Sequence, residues 1–353
     1  VSGFVPNQLV DPDLTWETTR MTDLGLDMVA FNNRLEFTFD WFNKYTYDIL
    51  RQSQVPQALG VTAPIVNNGA VSNKGIELSL RWQERPSQKF SYYAQANFQL
   101  YRNKLVSFGA DEIGGPDGQT IMRNGYPINS FYLYTMDGIF QNQEEINNAP
   151  DQTALGGTPT PGDIRYKDIN GDKKVDANDR SIFAGQYPKF EYSYTMGFNF
   201  GNFDASVMLY GSYGNKLYMG KWGIDPFAQG AMPTTDWLNR WTPEHPSTTM
   251  PKIYMGFYGY PRITNVQSTY YLYSASFMRI KNLQVGYTFP QGMVKGIRSL
   301  RIYSAVDNLA LFTPLKKGTD PERLDINTKP DAWYGFANYP QNRTITLGAS
   351  VQF

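Results

Sequence analysis

The sequence contains no cysteine and a single histidine, and these two shortages exclude several kinds of site. Without cysteine there is no disulfide framework, thiolate metal site or cysteine nucleophile. His245 lies in a Trp-Thr-Pro-Glu-His-Pro segment, where a lone histidine is more often solvated than a general base. Nucleophile elbows, phosphate-binding glycine loops and histidine-based zinc patterns are also missing. A glycosidase-like pair of catalytic carboxylates remains an alternative, but the strand pattern singles out no particular pair of acidic residues. We therefore predict that the protein is not an enzyme.

Long apolar runs and an excess of one charge are lacking too. No run approaches the roughly 20 apolar residues of a membrane helix, so any membrane form would be a closed β-barrel, which leaves no backbone group unpaired in lipid. The 32 basic and 32 acidic side chains balance, so nothing predicts a nucleic-acid partner. The sequence starts Val-Ser-Gly, with no signal peptide and no initiator Met. We therefore expect it to begin inside a longer polypeptide or after processing.

What the sequence does have is strict alternation of apolar and polar residues, most clearly in its last eleven positions. One face of a strand over 343–353 carries Ile345, Leu347, Ala349, Val351 and Phe353, and the other face is polar. A transmembrane β-barrel strand shows this pattern, with a closing aromatic at the interface. The last strand of a soluble β-sandwich would show it as well, so the choice depends on the rest of the chain.

Eight earlier segments alternate in the same way and predict strands. They cover about 15–30, the residues from 34 onward, 76–82, 90–100, 190–200, 203–209, a segment ending at 289, and 300–306. In the seventh segment Met278 and Ile280 fall on the opposite parity from Leu283 and Val285. This phase change predicts a β-bulge or a portion above the membrane. Residues 130–140 are strand-like within a long connection.

The connections between the predicted strands alternate between short and long. Short ones are 31–33, 84–88, 201–202 and 290–298, whereas long ones are 51–73, 105–188, 213–270 and 310–341. Outer-membrane barrels have short periplasmic turns and long outer loops. Aromatic residues gather at the short turns, as an interfacial girdle would: Phe31, Trp82, Phe90, Phe200, Phe203, Phe289 and Phe353. The predicted strands number about nine and are antiparallel. Because single-chain bacterial barrels normally have an even number of strands, an odd number leaves open edges. We therefore predict an all-β chain that forms the C-terminal part of a larger transmembrane barrel.

An acidic segment at 168–179 has the spacing of a calcium-binding loop. Oxygen-bearing side chains stand at positions 1, 3, 5, 9 and 12 of twelve, and position 7 would give a backbone carbonyl; the predicted ligands are Asp168, Asn170, Asp172, Lys174, Asp176 and Asp179. Two positions depart from the usual pattern, because Lys173 replaces glycine at position 6 and aspartate replaces glutamate at position 12. No clear helix flanks the loop. We predict a structural calcium ion that stiffens an outer loop, with a solvated acidic turn as the alternative.

Nine stretches along nearly the whole chain resemble the SusC/RagA-type TonB-dependent transporters of Bacteroidetes outer membranes. They are Thr15–Thr19, Leu24–Asp27, Asn67–Glu77, Gly125–Ile128, Asp137–Phe140, Pro161–Tyr166, Arg240–Glu244, Met278–Leu283 and Asp307–Leu309. The resemblance implies a barrel of about 22 strands with a plug in its lumen. The plug and the early strands would precede Val1. It also implies import of oligosaccharides or peptides, captured with a SusD-like surface lipoprotein and energised through TonB.

Residues that touch the ligand are less determined by the sequence. The outer loops offer five aromatic side chains of the kind that pack on sugars: Trp222, Trp237, Trp241, Trp333 and Tyr334. A single aromatic residue of this kind more often serves packing or partner contact than ligand binding. The main rival interpretation of the whole chain is a secreted, calcium-stabilised β-sandwich that binds glycans. An outer-membrane hydrolase barrel and a small complete barrel are further alternatives.

Overall fold

The structure, a computed structural model, describes residues 9–53, 55–56, 58, 60–84, 89–114, 118–185, 187–219, 224–227, 232–254, 266–293, 296–315, 320–322 and 341–353. In chain order its strands are β1 (Thr18–Ala30), β2 (Leu35–Gln52), β3 (Ile65–Gln83), β4 (Phe90–Ser107), β5 (Glu112–Gly114), β6 (Thr120–Met122), β7 (Ser130–Tyr134), β8 (Met136–Ile139), β9 (Ile164–Tyr166), β10 (Arg180–Phe183), β11 (Phe190–Phe200), β12 (Phe203–Tyr213), β13 (Lys216–Tyr218), β14 (Leu272–Ser274), β15 (Phe277–Thr288), β16 (Ser299–Phe312) and β17 (Thr344–Gln352). One short α-helix, α1, spans Gln143–Asn148. No helix in these ranges is long and apolar enough to cross a membrane.

Nine long strands form one antiparallel sheet in the order β1-β2-β3-β4-β11-β12-β15-β16-β17. Each strand pairs with its predecessor among the long strands, because the polypeptide runs up and down through the sheet. This order confirms the predicted all-β fold with nine antiparallel strands. It contradicts the β-sandwich alternative, since the alternating segments join one sheet and do not form two packed layers.

The hydrogen-bonded register places the predicted apolar faces side by side. Leu24 on β1, Trp41 on β2, Ile76 on β3 and Leu100 on β4 lie in one row across the sheet. Because side chains alternate along each strand, the polar residues share the opposite face. We call the apolar side the outward face and the polar side the lumenal face, as in membrane barrels.

The short connections are tight turns at one end of the sheet. Phe31, Asn32 and Asn33 all have positive φ, from 54° to 63°, and the Arg34 amide closes the turn on the Ala30 carbonyl at 3.1 Å. Aromatic rings gather at this end as predicted. Their contacts include Phe31 with Trp82, Phe90 with Phe200, Phe203 with Tyr287, and Tyr287 with Phe289, at centroid distances from 4.7 to 6.4 Å.

The opposite end, called the outer end here, carries the long connections, and some of their predicted boundaries were wrong. Segment 51–73 was predicted to be a loop, yet β2 continues to Gln52 and β3 begins at Ile65. The two strands extend beyond the alternating stretches, with register irregularities near Ile49. Segment 130–140 was predicted to be one strand but forms two, β7 and β8, which belong to different small sheets.

The long connections at the outer end fold into a layer with its own cores. One cluster joins Tyr134, Leu155, Ile164, Tyr166, Val175 and Val266. A second joins Met219, Ile224, Tyr271, Ala275 and Leu315. Because each cluster contains residues from more than one connection, the long connections pack against one another and form one ordered outer layer.

Candidate functional site

The lumenal face presents a row of acidic and amide side chains across four strands. Asp40 on β2 pairs with Glu77 on β3, which pairs with Gln99 on β4, which pairs with Glu191 on β11. Residues of this row line a groove of about 470 Å³. Glu191 accepts a hydrogen bond from the Tyr210 hydroxyl at 2.7 Å, and none of the three carboxylates has a basic partner among the described residues. The inner wall is therefore hydrophilic and can face water, substrate or another polar domain.

A second charged group joins the wall to the last long connection. Arg279 on β15 and Asp320 are both at most 3% exposed, and the guanidinium contacts the carboxylate at 2.6 Å. Glu322 lies 2.9 Å from Arg279 Nε and also pairs with Lys281. The Gln341 amide donates to Asp320 at 3.1 Å. This ion-pair anchor therefore fixes both 320–322 and 341 against the lumenal side of β15.

The ionisation of Asp320 follows from these contacts. Burial alone would raise the pKa of this carboxyl. The backbone amides of Glu322 and Gln341 and the guanidinium of Arg279 outweigh the burial, so the pKa of Asp320 lies below its ordinary value. The carboxylate is thus charged at neutral pH, as the anchor requires.

The predicted bulge lies at this anchor. The pairing of β15 with β12 and with β16 slips at the same point, between Ile280 and Asn282. Lys281 is the extra residue relative to β12, whereas on the other side two residues of β16, Asn308 and Leu309, lie opposite it. The slip turns Arg279 to the lumenal face beside Tyr210. The sequence indicated the bulge but not the ion pairs. The alternating Arg279 and Lys281 at the phase change were the one available signal for them.

The acidic loop at 168–179 is closed by hydrogen bonds from its own backbone. Asp168 accepts from the amides of Gly171 and Lys173 at 2.6 and 2.9 Å. Asn170 accepts from Asp172. Lys173 adopts φ +64°, the left-handed backbone that its position in a calcium loop demands. The predicted ligands at positions 1, 3 and 5 are therefore held in a tight turn.

The last predicted ligand, Asp179, lies in the interior of the loop. It is fully buried and accepts the amides of Ile169 and Asp176, each at 2.8 Å. Asp176 in turn accepts the amide of Asn178. Within the described ranges, no group of three or more His, Cys, Asp or Glu side chains is arranged to hold a metal. The calcium site thus stays a prediction, while the geometry gives Asp179 a role in closing the loop.

The loop is also attached to the outer layer. Val175 is fully buried in the first core cluster. The Val175 amide donates to the Asp151 carbonyl, and the Asp151 amide donates to the Lys173 carbonyl, at 2.8 and 3.0 Å. Strands β9 and β10, not α-helices, precede and follow it. The loop is therefore a rigid part of the outer layer.

Of the five aromatic residues predicted as ligand platforms, two lie in the described part of the chain. Trp237 is 5% exposed and its indole N–H donates to the Ile224 carbonyl at 2.9 Å. Trp241 is 8% exposed and its indole N–H donates to the side-chain oxygen of Gln141 at 3.0 Å. These contacts give both residues a role in packing, and their contact with ligand stays a prediction. The other three, Trp222, Trp333 and Tyr334, lie outside the described residues.

His245 lies in a tight reverse turn. Its amide donates to both the carbonyl and the hydroxyl of Thr242, at 3.1 and 3.0 Å. The exposed position fits the interpretation of a solvated loop residue.

Comparison with known proteins identifies the family. The model of the β-barrel of TonB-dependent receptor-like proteins matches residues 2–309. The chain belongs to the TonB-dependent receptor β-barrel family. TonB-dependent receptors are outer-membrane transporters and not enzymes, so the chain lies in the outer membrane.

Individual relatives place the chain near the SusC/RagA type. It is 32% identical to TonB-dependent receptor P3 of Formosa agariphila over all of this chain and 36% of that protein. It is 26% identical to TonB-dependent receptor SusC of Bacteroides thetaiotaomicron, over 97% of this chain and 32% of SusC. The RagAB peptide importer in its open-open state has the same fold, with a TM-score of 0.75 and 24% identity over 97% of this chain and 35% of that one. The chain spans about a third of the length of the curated relatives it matches.

Proposed function

We propose that this chain forms the C-terminal barrel wall and outer loops of a SusC-like importer. In this proposal a separate plug and the earlier strands come from the rest of the same transporter, and the assembled barrel has about 22 strands. The observation that carries the proposal is the nine-stranded sheet with one apolar and one polar face. In the described ranges β1 and β17 each have a single neighbour, and such edges in lipid need further strands to pair with.

The lumenal row and the ion-pair anchor support a transport role for the polar face. A plug domain or a hydrated substrate needs hydrogen-bonding partners on the inner wall, and Asp40, Glu77, Gln99 and Glu191 supply them. In this proposal the outer loops are 51–73, 105–188, 213–270 and 310–341, each shortened where a strand of the nine-stranded sheet extends into its range. The packed outer layer would be the surface that meets a SusD-like lipoprotein.

The cargo in this proposal is an oligosaccharide or a peptide, and TonB supplies the energy through the N-terminal part. The relatives support this assignment, since one is SusC and another assembly is named as a peptide importer. Within the outer layer, the loop at 168–179 would hold calcium as a stiffening ion. Its ligand spacing and the left-handed backbone of Lys173 support that assignment.

The function is tested by deleting the gene of the full receptor from its native bacterium. We expect loss of growth on, or uptake of, one class of oligosaccharide or peptide, and restoration by the intact gene. A receptor lacking its TonB-interacting segment should insert in the membrane without restoring uptake. Affinity purification of the intact receptor should recover a SusD-like lipoprotein. Undiminished uptake of every nutrient tested in the deletion strain would contradict the importer assignment.

A further inference from the structure

A cavity of about 500 Å³ lies at the outer end of the wall, lined by β4, by the segment just before β11 and by the end of β12. The ladder between β4 and β11 ends at the pair Gln99–Glu191, whereas β4 continues to Ser107. The cavity occupies the space beyond the end of this ladder. We call it the rim cavity. Its volume is within the usual range for small-ligand sites, about 300–1,000 Å³.

Among the described residues that line the rim cavity, three are cations and none is acidic. They are Arg102, Lys189 and Lys216. The Arg102 guanidinium donates to the backbone carbonyls of Tyr101 and Lys189 at 2.9 and 2.7 Å, which holds it at the edge between β4 and the segment before β11. Throughout the described part of the chain, none of the three has a carboxylate within ion-pair distance. The cavity is therefore electropositive and suits an anionic group.

The other lining residues supply a pair of tyrosine rings and a side-chain amide donor. The rings of Tyr101 and Tyr187 are 6.2 Å apart at an interplanar angle of 59°. Asn215 is 7% exposed, and its side-chain carbonyl accepts from the Ser212 hydroxyl at 3.2 Å. The amide nitrogen of Asn215 donates no hydrogen bond to any residue that the structure describes. Because Asn215 lines the cavity, this side-chain amide can donate to an oxygen of a ligand.

We infer that the rim cavity binds an acidic sugar residue of an oligosaccharide. The carboxylate or sulfate lies among Arg102, Lys189 and Lys216, and the sugar ring packs against Tyr101 and Tyr187. An oxygen of the sugar accepts the Asn215 amide. This inference rests on the proposed importer function and adds the class of cargo to it.

A peptide fits the same lining less well. Its backbone amides and any ammonium group need acceptors, and the part of the lining that the structure describes has no carboxylate to receive an ammonium. Sugar hydroxyls both donate and accept, which matches the amides and hydroxyls of Asn103, Asn215, Ser274 and Ser276. The cavity thus favours a sugar that carries negative charge.

The test measures binding to the purified full-length receptor by titration calorimetry. The probes are a tetramer of galacturonic acid, a sulfated tetrasaccharide, neutral maltotetraose and tetraglutamate. We expect at least one acidic saccharide to bind more tightly than maltotetraose and tetraglutamate. Its affinity should fall as salt is raised from about 50 to 300 mM, because exposed charge pairs are screened.

Variants then locate the binding. The double variant K189Q/K216Q should weaken the acidic saccharide about tenfold, at the upper end of what two exposed charge pairs contribute. N215D, which replaces the amide donor by a carboxylate of equal size, should weaken it by at least as much. The matched control is K104Q, since Lys104 is exposed on the same face of β4 as Arg102 but does not line the cavity. K104Q should leave the affinity unchanged.

Three outcomes would overturn the inference: neither acidic saccharide binds, tetraglutamate binds as tightly, or K189Q/K216Q and N215D bind like the parent. These are distinguishable from failure of the proposed function. If the receptor imports neutral sugars or peptides and the variants have no effect, the importer assignment holds and the rim cavity is not a binding site for acidic sugars. A receptor whose deletion changes no uptake loses the importer assignment, and with it the basis for the inferred cargo.

Discussion

The indole ring of Trp241 packs directly on Gly162. A Cβ atom at Gly162 would lie 2.5 Å from Cε3 of Trp241 and 2.9 Å from the Cβ of Lys252, and Gly162 has φ +90°. The two residues come from different long connections. The Pro-Gly-Asp and Arg-Trp-Thr-Pro-Glu stretches, both part of the resemblance noted in the sequence, therefore meet at one contact that joins two outer loops.

Replacing Gly162 by alanine should loosen this contact. The added methyl group has no room beside Trp241, and φ +90° is strained for any side chain, so we expect a loss of about 2–4 kcal/mol in local stability. The measurement is limited proteolysis of the outer layer, together with Trp fluorescence. The matched control is G125A, because Gly125 has φ +92° but nothing within 4 Å of a Cβ. If both variants lose the same stability, the backbone strain and not the Trp241 contact is responsible.

Removing the Asp320 carboxylate should release the ion-pair anchor. D320N leaves the buried Arg279 without its closest carboxylate, and breaking one partner of a buried pair costs about 3–5 kcal/mol. Hydrogen exchange at residues 277–281 of β15 would report the loss. A matched change at the exposed pair of Arg123 and Asp111, by D111N, should cost about 1 kcal/mol or less. Equal exchange in D320N and the parent would show that the anchor does not hold β15.

The same anchor predicts a pH dependence of defined sign. The pKa of Asp320 is lower in the folded protein than its ordinary value of 3.8. A carboxyl with a lowered pKa adds stability that is complete above the ordinary value and is lost as the pH falls below it. Exchange protection at 277–281 should therefore be constant from neutral pH down to about 4 and then fall. In D320N this acid-induced fall in exchange protection should be missing. If D320N shows a fall of equal size, a titratable group other than Asp320 is responsible for it.

The calcium prediction is tested at the acidic loop. If calcium binds there, the parent should be protected from protease over 160–185 by calcium, and D168A/D172A should lose that dependence. The control is E144A, which removes an exposed carboxylate in α1, outside the loop. Equal protection of the parent with and without calcium would mean that this loop does not use the ion and is closed by its own hydrogen bonds.

The assignment of the two sheet faces predicts opposite responses to a charge at neighbouring positions. Leu78 and Ser79 follow one another on β3, and Leu78 lies on the outward face beside Phe39 and Phe98. L78R should cost about 2–4 kcal/mol and lower the yield of folded barrel, because it places a cation in lipid. S79R points to the lumen and should be tolerated. If S79R is the more damaging variant, the assignment of the faces is wrong.

The sequence predicted the wall well because the membrane imposes a local rule on it. Each residue of a spanning strand faces either lipid or lumen, so alternation such as that of Ile345 to Phe353 marks both the strand and its orientation. The phase change at Met278 and Ile280 likewise marked the bulge. The tight turn at 31–33 was indicated by two asparagines that accept positive φ.

The outer layer was predicted poorly because distant contacts determine it. Nothing near Gly162 in the sequence indicates that Trp241 will cover it, and nothing near Arg279 indicates Asp320. The sequence did not indicate that Trp237 and Trp241 are buried with their indole N–H groups bonded to protein, and their contact with ligand stays a prediction. The rim cavity was not predicted at all, since its cations and tyrosines come from segments far apart in the chain.

The bulge at Lys281 lets β15 change its length by one residue without exchanging its two faces. Below it, even-numbered residues face the lumen, and above it odd-numbered ones do. Deleting Lys281 would let Ile280 follow Asn282 directly and pair with Leu209 in a regular ladder, so Arg279 would stay on the lumenal face and Met278 and Ile280 on the outward face. A deletion in a regular part of a strand would instead turn every side chain beyond it to the other face. Within the spanning strands, one-residue length differences among relatives should therefore concentrate at this bulge.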